Sequence, residues 1–180
     1  MLELKIPDVE LFDEDKEEFI TIKGATLQLE HSLISISKWE SKWHKAFLGK
    51  QKKTTEEILD YVRCMTINGG IDPSIYKYLT NEQVNKVVSY IEEPMTATWF
   101  YDDGDSAGGG ETVTSELIYY WMITLNVPVE FQKWHLNRLL ALIRVCNIKN
   151  NPNKKMNRAE IMNRNKLLNK QRRKELNTRG

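Results

Sequence analysis

The chain has 180 residues and a mass of 21.1 kDa, with 26 Lys and Arg against 25 Asp and Glu for a formal net charge of +1. A hydrophobic content of 41% and five Trp exclude a disordered or low-complexity chain, and the length suits one domain of ordinary size. No apolar run approaches the roughly 18 residues of a membrane span, and the first residues lack the basic and apolar regions of a secretory signal, so a soluble, unsecreted protein is expected.

The near-zero charge is the sum of unequal parts. Residues 1–30 carry nine acids against three bases, a net of −6, residues 31–148 a net of −2, and residues 149–180 eleven bases against two acids, a net of +9. Three regions are expected from this division: an acidic β-rich start (1–30), a helical core domain (31–148) and a basic C-terminal arm (149–180). In the first, Leu2, Leu4 and Ile6 alternate with polar neighbours, Pro7 and Asp8 break the run, and apolar stretches at Phe19–Ile22 and Thr26–Leu29 flank Lys23-Gly24. That pattern predicts a small antiparallel β-hairpin or meander. The acidic run from Asp13 to Glu18 reads as a solvated turn that keeps an exposed strand edge from pairing with other chains.

From Ser32 the apolar period lengthens from two to about 3.6, because Leu33, Ile36, Trp39, Trp43 and Phe47 are spaced for one helix face. Gly49 should end that helix. Thr54 or Thr55, followed by Glu56-Glu57, is a capping box for the next, with Ile58, Tyr61, Val62 and Met65 inward and Asn68-Gly69-Gly70 as its stop. Asp72-Pro73 opens a short helical turn, Thr80 to Gln83 a second capping box, and Pro94 closes the helix carrying Val84, Val87, Val88 and Ile91. Residues 101–113, rich in Gly and Asp, read as a flexible loop.

The most apolar segment follows. Thr114 or Ser115 caps a helix through Trp121 and Leu125, and after Pro128 a longer helix should carry Phe131, Trp134, Leu136, Leu139, Leu140, Ile143 and Cys146. With apolar residues on more than one face, this pair is expected to be the hub of the core. Asn147–Asn153 marks a boundary. Lys154–Gly180 has no aromatic residue, and its apolar stripe is too narrow for an independent fold, so a basic helical arm is expected. The fold class is therefore mainly α: one domain of five or six helices behind a small β unit.

Motifs for catalysis fail one by one. Counted from Asp103, the glycine loop places Ala107 and Thr114 where a calcium-binding EF-hand needs its fifth and twelfth ligands. It contains neither GxxxxGK nor GxGxxG. Cys64 and Cys146 lie in apolar stripes, where a raised thiol pKa makes them inert, and His31, His44 and His135 have no partners at metal-ligand spacing. No catalytic residue, cofactor or metal is assigned. The basic arm, with Lys154, Lys155, Arg158, Arg164, Arg172 and Arg173, could follow a phosphate backbone, yet no aromatic residue is interleaved to stack on bases. A protein partner suits it better, and the acidic start is one candidate counterpart.

The segments LEHSLISISKWESKWH (29–44), TSELIYYWM (114–122) and EFQKWHLNRLL (130–140) resemble small proteins of the tail modules of long-tailed bacteriophages, similar to tail assembly chaperones. The resemblance implies a non-enzymatic protein of the bacterial host cytoplasm that binds the phage tape measure protein, helps recruit the major tail protein, associates with itself and is absent from the mature virion. Contact area would come from Trp39, Trp43, Trp121 and Trp134, with the charged ends setting register. Two other readings remain: a structural head-tail or tail-completion protein, and a nucleic-acid-binding accessory protein that uses the basic arm.

Overall fold

The computed structural model describes residues 1–13, 18–98, 100, 112–150, 162 and 166. The expected loop at 101–113 and basic arm at 154–180 lie almost wholly outside the described residues, as does the centre of the acidic turn. What is described is mainly helical, with an antiparallel β unit at the start.

Four strands, β1 (Leu2–Ile6), β2 (Val9–Asp13), β3 (Glu18–Ile22) and β4 (Ala25–Leu29), pair as β1 with β4 and β2 with β3. The register runs from Leu2 opposite Leu29 and Ile6 opposite Ala25 to Val9 opposite Ile22 and Asp13 opposite Glu18, so the offset is the same in both pairs. They are two halves of one long hairpin, interrupted where Pro7 and Asp8 meet Lys23 and Gly24. A meander turning at Lys23-Gly24 is therefore ruled out, since the stretches on either side of it belong to successive strands of one arm. Gly24 answers a different need. A Cβ there would lie 2.3 Å from the Ile6 carbonyl oxygen and 2.6 Å from the Pro7 carbonyl carbon, and the Gly24 amide donates to Asp8 Oδ1 at 2.7 Å. Proline has no amide to give the ladder, so the arms close on each other through glycine and an aspartate side chain instead.

The base half of the hairpin is built into the core. Leu4, Ile6, Leu27 and Leu29 are buried. The outer edge of β4 is covered by the chain that leaves the second helix: Ile67 N–H donates to Gln28 O at 2.9 Å, while Asn68 accepts from Gln28 N–H and donates to Thr26 O, each at 2.9 Å. On the β1 side, Gln83 Nε2 donates to Lys5 O at 3.0 Å.

The helices are α1 (Leu33–Trp43), α2 (Thr55–Met65), α3 (Asn81–Glu92), α4 (Ser115–Thr124) and α5 (Leu136–Asn150), with 3-10 segments at Pro73–Tyr78 and Val129–Lys133. Local chemistry sets most of their starts. Ser32 with Ser35, Thr54 with Glu57, and Thr80 with Gln83 form complete capping boxes, and Thr114 Oγ1 accepts the Leu117 amide.

Three expectations change. The first helix ends at His44, which adopts φ 51°, so Phe47 is not part of it. Phe47 is still buried, because the Glu40 carboxylate accepts its amide at 2.7 Å and its ring lies 3.9 Å from that of Tyr61. The long helix expected from Phe131 is split at Trp134-His135, where Leu136 N–H donates to His31 O at 2.7 Å and His135 bridges to Ser32. Finally, the hub is α1 and not the α4/α5 pair. Helix α1 packs on α2, α4 and the 129–133 segment, whereas α5 buries only Leu136, Leu139 and Ile143.

Candidate partner-binding surfaces

The four tryptophans are not gathered on one surface. Trp39 is 1% exposed and its indole N–H donates to the Glu57 carbonyl at 2.8 Å, so its contact area lies within the core. Trp43, one turn further along α1, is half-buried, with its indole N–H donating to Asp60 Oδ2 at 2.8 Å. Around it Lys42 and Arg63 reach Asp60 Oδ1 at 2.7 and 2.9 Å. Burial pushes the Asp60 carboxyl up, but the hydrogen bonds from Lys42 and Trp43 and the charge of Arg63 leave it below the usual carboxylate range. The neighbouring Glu57, also buried, is lowered by its hydrogen bond from Lys45 and then by the Thr54 amide. This end of the molecule is a pinned ionic seam between α1 and α2.

Trp134 closes the Val129–Lys133 segment, which packs on α1. It is half-buried, stacked on Phe131 with centroids 4.0 Å apart, and covered by the Arg138 guanidinium 4.1 Å from its ring. Trp121 is half-buried on α4. Lys154, Lys155, Arg158, Arg164, Arg172 and Arg173 all fall outside the described residues.

Between these regions is a buried polar chain that sequence reasoning missed. His31 and Tyr61 are hydrogen-bonded, Nδ1 to OH, at 2.5 Å, and the Tyr61 hydroxyl lies 3.4 Å from Ser35 Oγ. The His31 ring meets that of His135 edge to face at 5.1 Å. His135 Nε2–H donates to Tyr90 O at 3.0 Å, and the Tyr90 hydroxyl donates to Glu30 Oε1 at 2.7 Å. Burial, then the proximity of His135, depresses His31 to about 3, and burial lowers His135 as well. Burial raises the Tyr61 hydroxyl. His31, Ser35 and Tyr61 are 2%, 2% and 3% exposed, so a substrate would have to open the core to reach them. Their groups are satisfied by one another, as buried polar networks require. The signal in the sequence was weak: His31 and His135 are 104 residues apart and only the fold makes them neighbours.

Cys64 and Cys146 are half-buried free thiols, Cys64 raised by burial and then by the Asp60 charge. Among the described residues no group of three or more His, Cys, Asp or Glu is placed to hold a metal ion, and no helix is long and apolar enough to cross a membrane.

Among the described residues, apolar side chains face solvent on α4 and at the outer end of the hairpin, besides scattered single positions such as Leu48, Val88 and Ile148. On α4, Tyr120 and Ile123 are 61% and 75% exposed, although Ile118 and Met122 on the opposite side are buried and Leu117 and Trp121 are half-buried between them. Apolar residues on more than one face of α4 were visible in the sequence, where they suggested burial. At the outer end of the hairpin, Phe12 and Phe19 are also exposed. Nothing local marks that pair, which only the hairpin register brings together. No family model, curated protein or solved structure matches the chain.

Proposed function

We propose that the protein is a non-enzymatic binding protein that holds a helix of a larger protein partner against the exposed side of α4. The observation carrying this reading is the pair Tyr120 and Ile123, which lie three residues apart on one helix face and remain in water. Covering apolar surface is favourable by roughly 25 cal/mol per Å², and a partner helix with apolar residues at i, i+3 and i+4 would cover this stripe while keeping its polar side in solvent. Half-buried Leu117 and Trp121 would border the contact.

The resemblance of residues 29–44, 114–122 and 130–140 to phage tail assembly chaperones supplies the partner. In this reading the chain binds the helix-rich tape measure protein in the host cytoplasm, keeps it soluble while major tail protein subunits are recruited, and leaves before the virion is complete. Residues 114–122 include most of α4 and, of the exposed pair, Tyr120, so the likeness and the exposed surface overlap there.

Co-expression tests this reading. A helical tape measure fragment should stay soluble with the full chain and precipitate with a Tyr120→Ser/Ile123→Ser variant that melts like wild type. Equal precipitation with and without the protein would end the proposal. Stoichiometric recovery of this chain from purified virions would favour a structural tail component instead.

A further inference from the structure

The exposed side of α4 carries a charge as well as apolar surface. Glu116, Tyr120 and Ile123 recur at spacings of four and three, which at 3.6 residues per turn sets them within about 60° of one another around the helix axis, and all three are exposed. A hydrogen bond from its own amide, then one from Thr114, hold the Glu116 carboxyl below the usual range, so it is ionised at neutral pH. A first-turn glutamate favours the helix dipole whichever way it faces. This one stands at the head of the apolar stripe, and none of the ion pairs among the described residues involves it. Residues 112–130 hold two acids and no base, so α4 brings no cation of its own to that side. Beside Glu116 is a depression of about 290 Å³, lined also by Glu40, Ser41 and Lys45. The Lys45 ammonium is already committed to Glu57 at 2.5 Å.

Granted that a partner helix docks on Tyr120 and Ile123, we propose that this helix is cationic beside its apolar stripe, with a Lys or Arg one turn beyond the residue that covers Tyr120. That side chain enters the depression and meets Glu116, whose carboxylate would otherwise lose water to the contact with nothing in exchange. A carboxylate at the same place on the partner would face Glu116 and be rejected. The apolar pair alone accepts any amphipathic helix; a charge at its rim selects among them and fixes their register.

Three model helical peptides test this by fluorescence anisotropy against the full chain. They share one stripe of Leu at i, i+3 and i+4 and differ in whether the positions one turn to either side are Lys, Gln or Glu. The Lys peptide should bind about fivefold more tightly than the Gln peptide, and the Glu peptide about fivefold more weakly, the scale of one exposed ion pair. Glu116→Gln should remove this ranking, Glu116→Lys reverse it, and salt at about 0.5 M flatten it. Both variants should remain folded by circular dichroism. Tyr120→Ser/Ile123→Ser should abolish binding of all three peptides. If it does, but the peptides bind wild type equally or their ranking is unmoved by either Glu116 variant, the cationic partner is overturned and the docking surface stands. Binding by none of the peptides, or binding indifferent to Tyr120→Ser/Ile123→Ser, would overturn both. Dimerisation of the chain alone, lost in that same variant, would make a second copy the occupant and overturn both as well.

Discussion

The two halves of the N-terminal hairpin share one register and similar strand sequences, yet one is core and the other is surface. In the base half Leu4, Ile6, Leu27 and Leu29 are buried, and both edges are covered by side chains or backbone from the helical part. In the outer half β2 and β3 pack mainly on each other, and two phenylalanines stand in solvent. An isolated two-stranded ribbon is marginal in water, so the outer half owes its order to being continuous with the base. Strand propensity and pairing are alike in the two halves. What differs is whether anything lies beside them.

The largest test of that difference is Leu27→Ala, which empties a fully buried position and should cost about 2–5 kcal/mol in urea unfolding. A cost below about 1 kcal/mol would show that the base half is not the anchor. The next effect comes from pH, through His31 at the end of the base half. Its pKa is depressed on folding, so the unfolded chain binds more protons below pH 6.5. Stability is thus fully present above about pH 6.5 and falls as pH drops toward about 3. By pH 5 the share of the loss due to His31 should reach about 2 kcal/mol, at 1.4 kcal/mol per unit, and a folded His31→Asn variant should lose correspondingly less, keeping only the contribution of His135, which burial also lowers. A flat profile between pH 7 and 5 would contradict this assignment.

Asn68→Ala removes two hydrogen bonds from the covered edge of β4 and should cost about 1–2 kcal/mol, with faster amide exchange at Gln28. Smallest of all, Phe12→Ser should change unfolding stability by less than about 1 kcal/mol, since it loses only an exposed cross-strand pair. If it matched Leu27→Ala, the two halves would be energetically one unit.

What could be read in advance follows the range of the interaction. The capping boxes of α2 and α3 were legible because Thr54 with Glu57 and Thr80 with Gln83 act within four residues. Phe47 misled because its spacing from Trp43 suits a helix, while a carboxylate seven residues back, Glu40, captures its amide outside one. Lys23-Gly24 has the composition of a turn, but pairing across the whole hairpin decides its role. For the surfaces, the apolar excess of α4 was legible and its exposure was not, because burial depends on which helix occupies the centre. Trp39 and Trp43 share a stripe in the sequence, and only the position of α2 places one inside and leaves the other half-buried.

Glu40 carries a further consequence. One of its oxygens accepts the Phe47 amide at 2.7 Å and the other the Ser115 amide at 2.8 Å, so a single side chain of α1 receives the first residue of α4. Those two positions are 75 residues apart. On a ribosome, which delivers the chain from its N-terminus, the hairpin, α1 and α2 emerge long before α4, and the receiving carboxylate is synthesised first. The exposed face of α4 is consequently a late product of synthesis: its docking site is made before the helix that will occupy it.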